Sequence, residues 1–357
     1  MTTQRTAADW EFEKGGRMNV PSTAPTAAPA KPPAPRPPGR VLAMFPGQGS
    51  QRPGMARDLL RHHGAIAGPL LLEADLALGL PLTEICTLGT AEDLAATEIT
   101  QPAVVAMSLA VLEVLRREGH FAPGAVTGHS LGEYTALVAA GVLAPLDALR
   151  LVQIRGRLMA DVGKLTPGGM AAVIGLDAAE VEAVCRQAAG HGLVEVANYN
   201  EARQTVISGE APAVAAACEL ALARGAERAK ALPVGAPFHC SLMAGIEAEF
   251  AAELSRCHFA DPRTPVLSSV TGGWIRSGWH ARELLRRQLA APVRWVDVLH
   301  TAHAGGYGHF VEVGPGRVLS AFARHTVQEA VVRSTNDARR IASLINDNTS
   351  HQEKDMS

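Results

Sequence analysis

From residue 41 onward, short runs of β-branched and other apolar residues alternate with longer segments whose apolar residues recur at helical spacing. Alternating strands and helices are typical of an α/β domain with a largely parallel sheet. The sequence predicts strands at residues 41–45 and 310–313, another strand that ends at residues 125–127, and a helix that begins at Gly132. We therefore expect most of the chain to form one large α/β domain.

The order of predicted elements changes between residues 168 and 233. In this part the sequence predicts strands at residues 170–174, 194–198, 204–208 and 228–232, and helices at residues 178–188 and 212–224. The resulting βαββαβ order is that of the ferredoxin-like, split-βαβ arrangement. We therefore predict that residues 168–233 form a small domain inserted in a large one, which consists of residues 40–167 and 234–345.

The two ends of the chain differ in composition from the rest. Residues 1–39 contain a Pro- and Ala-rich stretch that offers almost nothing to a hydrophobic core, so we predict a disordered arm. We interpret the arm as a linker, and a docking segment for a partner is the alternative. The arm lacks the apolar run of about 7–15 residues that marks a secretory signal. Residues 346–357 are polar and predict a flexible tail.

Composition and charge exclude several classes of protein. The chain of 357 residues is 47% hydrophobic, which suffices for a large core. Its 33 Lys and Arg against 35 Asp and Glu give a net charge of −2, which provides no general attraction for nucleic acid or anionic lipid. Five scattered cysteines without a CxxC pair favour a reducing compartment over a disulfide framework or a zinc site. We expect a cytoplasmic protein that binds neither nucleic acid nor a membrane.

The strongest chemical signal is a Gly-X-Ser-X-Gly motif at residues 128–132, with Ser130 at its centre. The motif follows a predicted strand and precedes a predicted helix. Glycine on both sides permits a sharp turn that exposes the serine hydroxyl above a sheet and directs the next backbone N–H groups at an oxyanion. An ordinary tight turn is the alternative, because so short a motif also arises by chance. Ser130 is therefore a candidate nucleophile.

A second signal is Arg155, which lies in a predicted helix at residues 147–164. The residues three and four positions away on either side are all apolar, so Arg155 points inward. They are Leu151, Val152, Leu158 and Met159. A buried guanidinium requires an anion, which is either a substrate carboxylate bound by bidentate hydrogen bonds or a buried Asp or Glu in a structural ion pair.

Residues 128–134, Gly-His-Ser-Leu-Gly-Glu-Tyr, resemble the active-site segment of malonyl-CoA:acyl-carrier-protein transacylases and polyketide synthase acyltransferase domains. Further segments agree with this family in the same order, and they are residues 45–51, 153–156, 198–200, 237–239 and 311–316. The resemblance covers about residues 40–345. It implies an α/β-hydrolase-like large domain, which is the catalytic one, with the small ferredoxin-like domain inserted.

The resemblance implies roles for the residues that carry the chemistry. Ser130 and His239 would form a catalytic dyad. Main-chain carbonyl oxygens would orient the imidazole in place of an Asp side chain, and one of them would be that of Arg294, in the segment of residues 292–295. The backbone N–H groups of Gln48 and Leu131 would form the oxyanion hole. These two groups would stabilise the tetrahedral intermediate that Ser130 forms.

The resemblance also implies the residues of the substrate pocket. Arg155 would bind the substrate carboxylate, and Phe238 directly before the histidine indicates malonyl rather than methylmalonyl selectivity. His129 is interpreted as a packing or hydrogen-bonding residue of the pocket. Asn198 and Asn200 would either reach the substrate or brace the junction of the two domains.

The activity that the resemblance implies is transfer of a malonyl group from malonyl-CoA to the phosphopantetheine thiol of an acyl carrier protein, by a ping-pong reaction through an ester on Ser130. It implies no metal and no redox cofactor. The alternatives are a proofreading thioesterase or other serine hydrolase, a methylmalonyl-selective acyltransferase, and a non-catalytic carrier-docking protein. Fatty acid, polyketide and malonate pathways all stay open, and a monomer is compatible with the sequence.

Overall fold

The computed structural model describes residues 40–355, with side chains described for residues 40–348. The predicted arm at residues 1–39 lies outside the described residues. Within them the chain forms two β-sheets and a set of helices that cover them. Both sheets belong to the same compact unit of the chain.

The larger sheet has five strands, all parallel, in the order β7-β2-β1-β8-β9. They are β1 (Arg40–Phe45), β2 (Ala125–Gly128), β7 (Val266–Leu267), β8 (Tyr307–Glu312) and β9 (Val331–Ser334). The central strand β1 is fully buried from Leu42 to Phe45, as expected where helices cover both faces of a parallel sheet. The sequence predicts β1, β2 and β8 but neither β7, which is too short to show a period, nor the half-exposed edge strand β9.

The helices lie around both sheets. In the described part of the chain they are α1 (Arg57–Leu78), α2 (Leu82–Leu88), α3 (Thr97–Gly119), α4 (Gly132–Ala139), α5 (Pro145–Leu165), α6 (Ala178–Ala188), α7 (Ala211–Ala223), α8 (Glu247–Ser255), α9 (Gly278–Arg287), α10 (Trp295–Ala304), α11 (Val318–Thr326) and α12 (Ala338–Asp355). By length and composition alone α3 could cross a membrane, but 78% of its most apolar window is buried inside the protein. Such a helix, apolar all round and covered by its neighbours, is a core helix.

The smaller sheet is antiparallel, with the strand order β4-β5-β3-β6. Its strands are β3 (Gly168–Ile174), β4 (Val194–Glu201), β5 (Gln204–Glu210) and β6 (Arg228–Ala231). Together with α6 and α7 they follow the βαββαβ order, and they enclose a separate core that includes Val173, Val181 and Ile207. The predicted ferredoxin-like arrangement is therefore confirmed. We propose that the domain boundaries follow the two sheets, with residues 168–233 as the small domain.

The small sheet is joined to the segment that precedes α10. The backbone N–H of Tyr199 donates to the Val293 carbonyl at 2.8 Å, and the N–H of Val293 donates to the Ala197 carbonyl at 2.8 Å. These bonds attach β4 to the chain near the large sheet.

The last helix extends further than the sequence predicts. A flexible tail was expected from residue 346, but α12 continues to Asp355. Ile341 and Leu344 are buried against the core and anchor the helix. Once a helix is anchored, each added residue gains a hydrogen bond without a new nucleation cost, so a polar extension remains helical.

Candidate active site

The Gly-X-Ser-X-Gly segment forms a sharp turn between β2 and α4. Ser130 has φ +50, in the left-handed region that non-glycine residues rarely adopt. A Cβ at Gly128 would lie 2.0 Å from the backbone of Gly132, and a Cβ at Gly132 would lie 1.9 Å from the Phe45 carbonyl oxygen. Both positions therefore require glycine, because the turn leaves no room for a side chain. The turn directs the Ser130 hydroxyl into a cavity.

The Ser130 hydroxyl donates a hydrogen bond to Nε2 of His239 at 2.7 Å. His239 lies in a turn with Phe238 and also has a positive φ, of +60. Its side chain is buried, with 5% exposure, and Ser130 is 9% exposed. The structure thus brings together the two residues that the sequence predicts as a dyad.

The predicted orientation of His239 by the Arg294 carbonyl is wrong. Nδ1–H of His239 donates instead to the backbone carbonyls of Gln288 at 2.9 Å and Ala291 at 3.1 Å. Gln288 is the C-cap of α9, where the last carbonyls lack partners within the helix and carry the negative end of its dipole. The Arg294 carbonyl is not free, because it accepts from Val298 N–H at the start of α10.

Burial and a neighbouring cation keep His239 neutral. Loss of solvation lowers the pKa of His239 most, and the positive charge of Arg155 lowers it further, to about 3. The two backbone carbonyls that accept from Nδ1–H oppose this shift but do not reverse it. At neutral pH the imidazole therefore has a lone pair on Nε2 with which to take the Ser130 proton.

Arg155 lies inside α5 with 2% exposure, as its helical neighbours predict. Its Nη1 donates to Gln101 Oε1 at 2.8 Å, and its Nη2 donates to Ser130 Oγ at 3.1 Å and to Gln288 Oε1 at 3.3 Å. Burial lowers the pKa of Arg155. Within residues 40–348 its partners are Gln101, Ser130 and Gln288 and include no Asp or Glu, and its Nε has no hydrogen-bond partner. The guanidinium is thus oriented by neutral groups beside the nucleophile.

Gln48 and Leu131 both line the cavity next to Ser130. Gln48 lies in the turn after β1, and a Cβ on the preceding Gly47 would lie 2.6 Å from the His129 carbonyl, so this turn packs directly on the serine turn. The Gln48 side chain accepts from Thr97 Oγ1 at 2.9 Å. Over residues 40–355 neither the Gln48 nor the Leu131 backbone N–H has a hydrogen-bond partner. Two free donors at this position are what an oxyanion hole requires.

The cavity that contains these groups has a volume of about 200 Å³. Ser130, His239 and Arg155 form its polar wall, and Phe238 and Met170 belong to its apolar wall. Phe238 is buried, with 7% exposure, and limits the width of the space beside His239. The structure therefore places Phe238 in the predicted pocket.

His129 and the two asparagines occupy different positions around the cavity. Nε2–H of His129 donates to Asn200 Oδ1 at 2.9 Å, and the His129 ring lies 5.4 Å from the Trp295 ring. Burial lowers the pKa of His129. Asn198 lines the cavity, whereas Asn200 does not and instead holds His129. One asparagine thus faces the substrate space and the other braces the serine turn.

Three buried residues at the site were missed by the sequence analysis: Gln101, Glu133 and Gln288. Gln288 Nε2 donates to the Ser130 carbonyl and to Glu133 Oε2, both at 3.1 Å. The sequence contains a signal for Gln288, because this polar residue lies four positions after the buried Leu284 and so falls on the apolar face of its helix. Gln101 is likewise a polar residue within the apolar sequence of α3.

The described residues contain no group of three or more His, Cys, Asp and Glu that could hold a metal ion. All five cysteines are free, and burial raises the pKa of Cys86 to about 12. Cys240, next to His239, is buried and donates to the Pro237 carbonyl. The nucleophile nearest to the base is therefore the Ser130 hydroxyl.

Comparison with known proteins agrees with this arrangement. Residues 43–356 match the family model described as the acyl transferase domain. The malonyl CoA-acyl carrier protein transacylase of Escherichia coli (strain K12) is 39% identical over 302 residues, which are 85% of this chain and 97% of that relative. The malonyl CoA-acyl carrier protein transacylase of Bacillus subtilis (strain 168) is 40% identical over 286 residues, 80% of this chain and 90% of that relative. The solved structure of a malonyl-transacylase in complex with its type II PKS acyl-carrier protein has a TM-score of 0.83 at 36% identity, and the match covers 86% of this chain and 99% of that chain.

Proposed function

The chain belongs to the acyl transferase domain family, and on that premise we propose that it transfers a malonyl group from malonyl-CoA to the phosphopantetheine thiol of an acyl carrier protein. The observation that carries the proposal is the position of Arg155, whose Nη2 lies 3.1 Å from Ser130 Oγ. In a malonyl thioester the carboxylate is one methylene away from the carbon that the serine attacks. A guanidinium beside the nucleophile therefore suits this acyl group.

In the first half of the reaction Ser130 attacks the thioester carbon. Nε2 of His239 takes the serine proton as the C–O bond forms, and the carbonyl oxygen becomes an oxyanion. The backbone N–H groups of Gln48 and Leu131 donate to that oxyanion. When the C–S bond breaks, coenzyme A leaves as its thiol with the proton from His239. The malonyl group remains as an ester on Ser130.

In the second half the phosphopantetheine thiol of the carrier protein enters the same cavity. Neutral His239 takes the thiol proton, the thiolate attacks the ester carbon, and the oxyanion forms again at the same two N–H groups. The C–O bond then breaks, Ser130 regains its proton from His239, and the malonyl thioester leaves on the carrier. These steps use side chains, backbone groups and the two thioester carriers alone, so we propose that no metal or redox cofactor takes part.

The pocket residues select the acyl group. Arg155 binds the carboxylate with bidentate hydrogen bonds, which also hold the ester in one orientation for the incoming thiol. Phe238 restricts the space beside the acyl chain and favours malonyl over the branched methylmalonyl group. Asn198 reaches the substrate space, while Asn200 and His129 support the serine turn.

We also propose that the enzyme acts in the cytoplasm. The five free cysteines, of which Cys86, Cys185 and Cys240 are buried, support a reducing compartment. The balance of 33 basic and 35 acidic residues supports a partner recognised by local contacts rather than by overall charge.

Intact-mass spectrometry tests the proposed function. The protein is incubated separately with malonyl-CoA, methylmalonyl-CoA and acetyl-CoA, and then with a phosphopantetheine-loaded acyl carrier protein. We expect a malonyl adduct on Ser130 that is lost when the carrier is added and reappears on the carrier. Ser130→Ala is the control and should form no adduct.

Three other outcomes would contradict the proposal. Release of free malonate with no malonyl-carrier product would identify a serine hydrolase or thioesterase. Absence of any adduct from all three thioesters, with the carrier still bound, would identify a non-catalytic docking protein. A larger methylmalonyl than malonyl adduct would identify the methylmalonyl-selective alternative.

A further inference from the structure

Glu133 is a buried carboxylate that shares the Gln288 amide with Arg155, yet the two do not form an ion pair. Both side chains are almost completely buried, with exposures of 0% and 2%. Glu133 Oε2 accepts from the backbone N–H and the hydroxyl of Ser269 at 3.0 and 2.6 Å. The amide of Gln288 lies between the carboxylate and the guanidinium, and it bonds both.

The hydrogen-bond network determines which way the Gln288 amide faces. The amide nitrogen of Gln288 donates to the Ser130 carbonyl, which can only accept, and to Glu133 Oε2. Burial raises the pKa of Glu133, and its hydrogen bonds from Ser269 and Gln288 oppose that shift. The amide oxygen must then face Arg155 Nη2, which can only donate. The Ser130 carbonyl and Arg155 therefore fix the orientation of Gln288, whose amide nitrogen faces Glu133 and whose amide oxygen is an acceptor for Arg155.

This arrangement orients the buried guanidinium without giving it a counter-ion in contact. Both Nη atoms of Arg155 donate to neutral amide oxygens, Nη1 to Gln101 and Nη2 to Gln288. A carboxylate in the Gln288 position would instead form a close charge-assisted pair and occupy the donors that a substrate carboxylate needs. Burial lowers the pKa of Arg155, and Tyr134 and then Glu133 act in the opposite direction from nearby.

We propose that Gln288 is a positioning residue for substrate selectivity: its neutral amide separates Glu133 from Arg155, so that the carboxylate of the acyl group becomes the contacting counter-ion of the guanidinium. The inference rests on the proposed function, because it takes the malonyl carboxylate as that anion. It assigns to the Gln288 side chain a role that is distinct from that of its backbone carbonyl, which holds His239.

The two roles of Gln288 are separable by substitution. Its backbone is held by the hydrogen bond from its N–H to the Leu284 carbonyl at 2.9 Å, at the end of α9. A change of side chain leaves this bond and the carbonyl that accepts from His239 in place. Gln288→Met keeps the length of the side chain and removes the amide, and Gln288→Glu keeps the shape and adds a carboxylate next to Arg155.

The experiment measures three rates for each variant of the full chain. They are acylation of Ser130 by malonyl-CoA, acylation by acetyl-CoA, and reaction of Ser130 with an uncharged serine reagent such as phenylmethylsulfonyl fluoride. Gln153→Met and Gln153→Glu are the matched controls, because the Gln153 amide is half-buried and donates to the Leu78 carbonyl outside the cavity. Thermal unfolding of every variant is recorded alongside.

For Gln288→Glu we expect the ratio of kcat/KM for malonyl-CoA over acetyl-CoA to fall by about 10- to 100-fold, mainly through KM, because an internal carboxylate occupies the guanidinium. For Gln288→Met we expect a fall of roughly 3- to 10-fold in the same ratio, since one neutral acceptor is lost. In Gln288→Met the rate with malonyl-CoA should fall more than the rates with acetyl-CoA and with the uncharged reagent, because only malonyl-CoA uses the carboxylate site. Neither Gln153 variant should change the ratio.

Equal losses with malonyl-CoA, acetyl-CoA and the uncharged reagent would overturn the inference, because they would show that the side chain supports the dyad or the fold rather than the carboxylate site. An unchanged malonyl-to-acetyl ratio in Gln288→Glu would also overturn it. If the wild-type protein reacted with the uncharged reagent but showed no preference for malonyl-CoA, the proposed function itself would fail, and this inference with it. The wild-type measurement therefore separates the two failures.

Discussion

Ser130 Oγ and His239 Nε2 lie 2.7 Å apart although 109 positions separate the two residues in the chain. Both have positive φ, +50 and +60, which costs on the order of 1–3 kcal/mol for each residue. Each lies within a tight turn, one after β2 and the other after β6, the last strand of the small sheet. The remainder of the fold holds both turns in place, and the proposed chemistry depends on their meeting.

Substitution of the base should slow the reaction at Ser130. We expect His239→Ala to reduce the rate of malonyl-adduct formation by about 10²- to 10⁴-fold, because the serine loses its general base. The measurement is the rate of adduct formation by intact-mass spectrometry. His191→Ala is the control, since His191 is exposed. A wild-type rate in His239→Ala would show that another group takes the proton.

Removal of the guanidinium should abolish the preference for a carboxylated acyl group. We expect Arg155→Ala to lower the ratio of kcat/KM for malonyl-CoA over acetyl-CoA by about 10- to 100-fold. This is the loss in binding expected when a charge-assisted hydrogen bond to the substrate carboxylate is removed. Arg157→Ala is the matched control, because Arg157 is exposed on another face of α5 and pairs with Glu249. If Arg155→Ala lost acetyl transfer as severely as malonyl transfer, recognition of the carboxylate by Arg155 would be refuted.

The pH dependence should reflect the low pKa of His239. Because burial and then Arg155 lower that pKa from 6.5 to about 3, reaction of Ser130 with an uncharged serine reagent should show no ionisation near pH 6.5. In Arg155→Ala one cause of the lowered pKa is absent, so the acid limb of the pH–rate profile should move to higher pH. His129, the other titratable group that lowers the pKa of His239, is unchanged in this variant. A wild-type limb near pH 6.5 would contradict the burial of a neutral imidazole.

The same shift links pH to stability. Between pH 6.5 and about 3 the imidazole of the unfolded chain binds a proton that the folded His239 does not. The contribution of His239 to the free energy of unfolding is therefore fully present above pH 6.5 and falls as the pH decreases through this window. Urea unfolding of wild type and His239→Gln at several pH values measures this contribution.

The serine turn should not tolerate a side chain at Gly132. A Cβ there would lie 1.9 Å from the Phe45 carbonyl oxygen, so we expect Gly132→Ala to lower the free energy of unfolding by about 3 kcal/mol or more and to stop adduct formation at Ser130. Gly64→Ala in α1 is the control, because no atom lies within 4 Å of its Cβ. Alanine in that helix should be neutral or stabilising by roughly 0.5–1 kcal/mol. Urea unfolding measures the free energy of unfolding of both variants. Equal changes in the two variants would show that a Cβ at Gly132 does not clash with the Phe45 carbonyl.

Widening the pocket should relax its selectivity. We expect Phe238→Ser to lower the ratio of malonyl to methylmalonyl adduct by about 10-fold, because the ring that limits the space beside His239 is removed. Competition between the two thioesters, read as the two adduct masses on Ser130, measures the ratio. Acetyl-CoA serves as the control, since its smaller acyl group should react at a similar rate in both proteins. An unchanged ratio would show that Phe238 does not set the selectivity.

Much of the fold could be predicted because its signals are local. Helix α6 begins and ends at the predicted residues, and it opens with a capping box between Asp177 and Glu180. The strands of the small sheet were predicted to within a few residues. β7 was missed because two residues cannot show a period, and the helical end of α12 was missed because polar residues there resemble a tail.

The sequence predicted part of the site: it indicated the nucleophile, the base and the guanidinium, but it missed the side chains of Gln101, Glu133 and Gln288. Ser130, His239, Arg155 and Phe238 come together as expected. The carbonyl assigned to Arg294 was wrong, because that oxygen is used within α10. Whether a carbonyl is free depends on where a helix ends in space, and a motif does not contain that information.

By itself the sequence determined the features that depend on neighbours along the chain: the glycine-framed turn at Ser130, the inward face of Arg155 and the order of strands and helices. Backbone sterics and helical periodicity are local, so a few residues suffice to define them. Only the tertiary structure decided what surrounds Arg155 and His239, since the amide of Gln288 and the carbonyls at the end of α9 come from a distant segment. A buried charge acquires its pKa and its partners from whatever the fold packs against it, and that is a property of the whole chain.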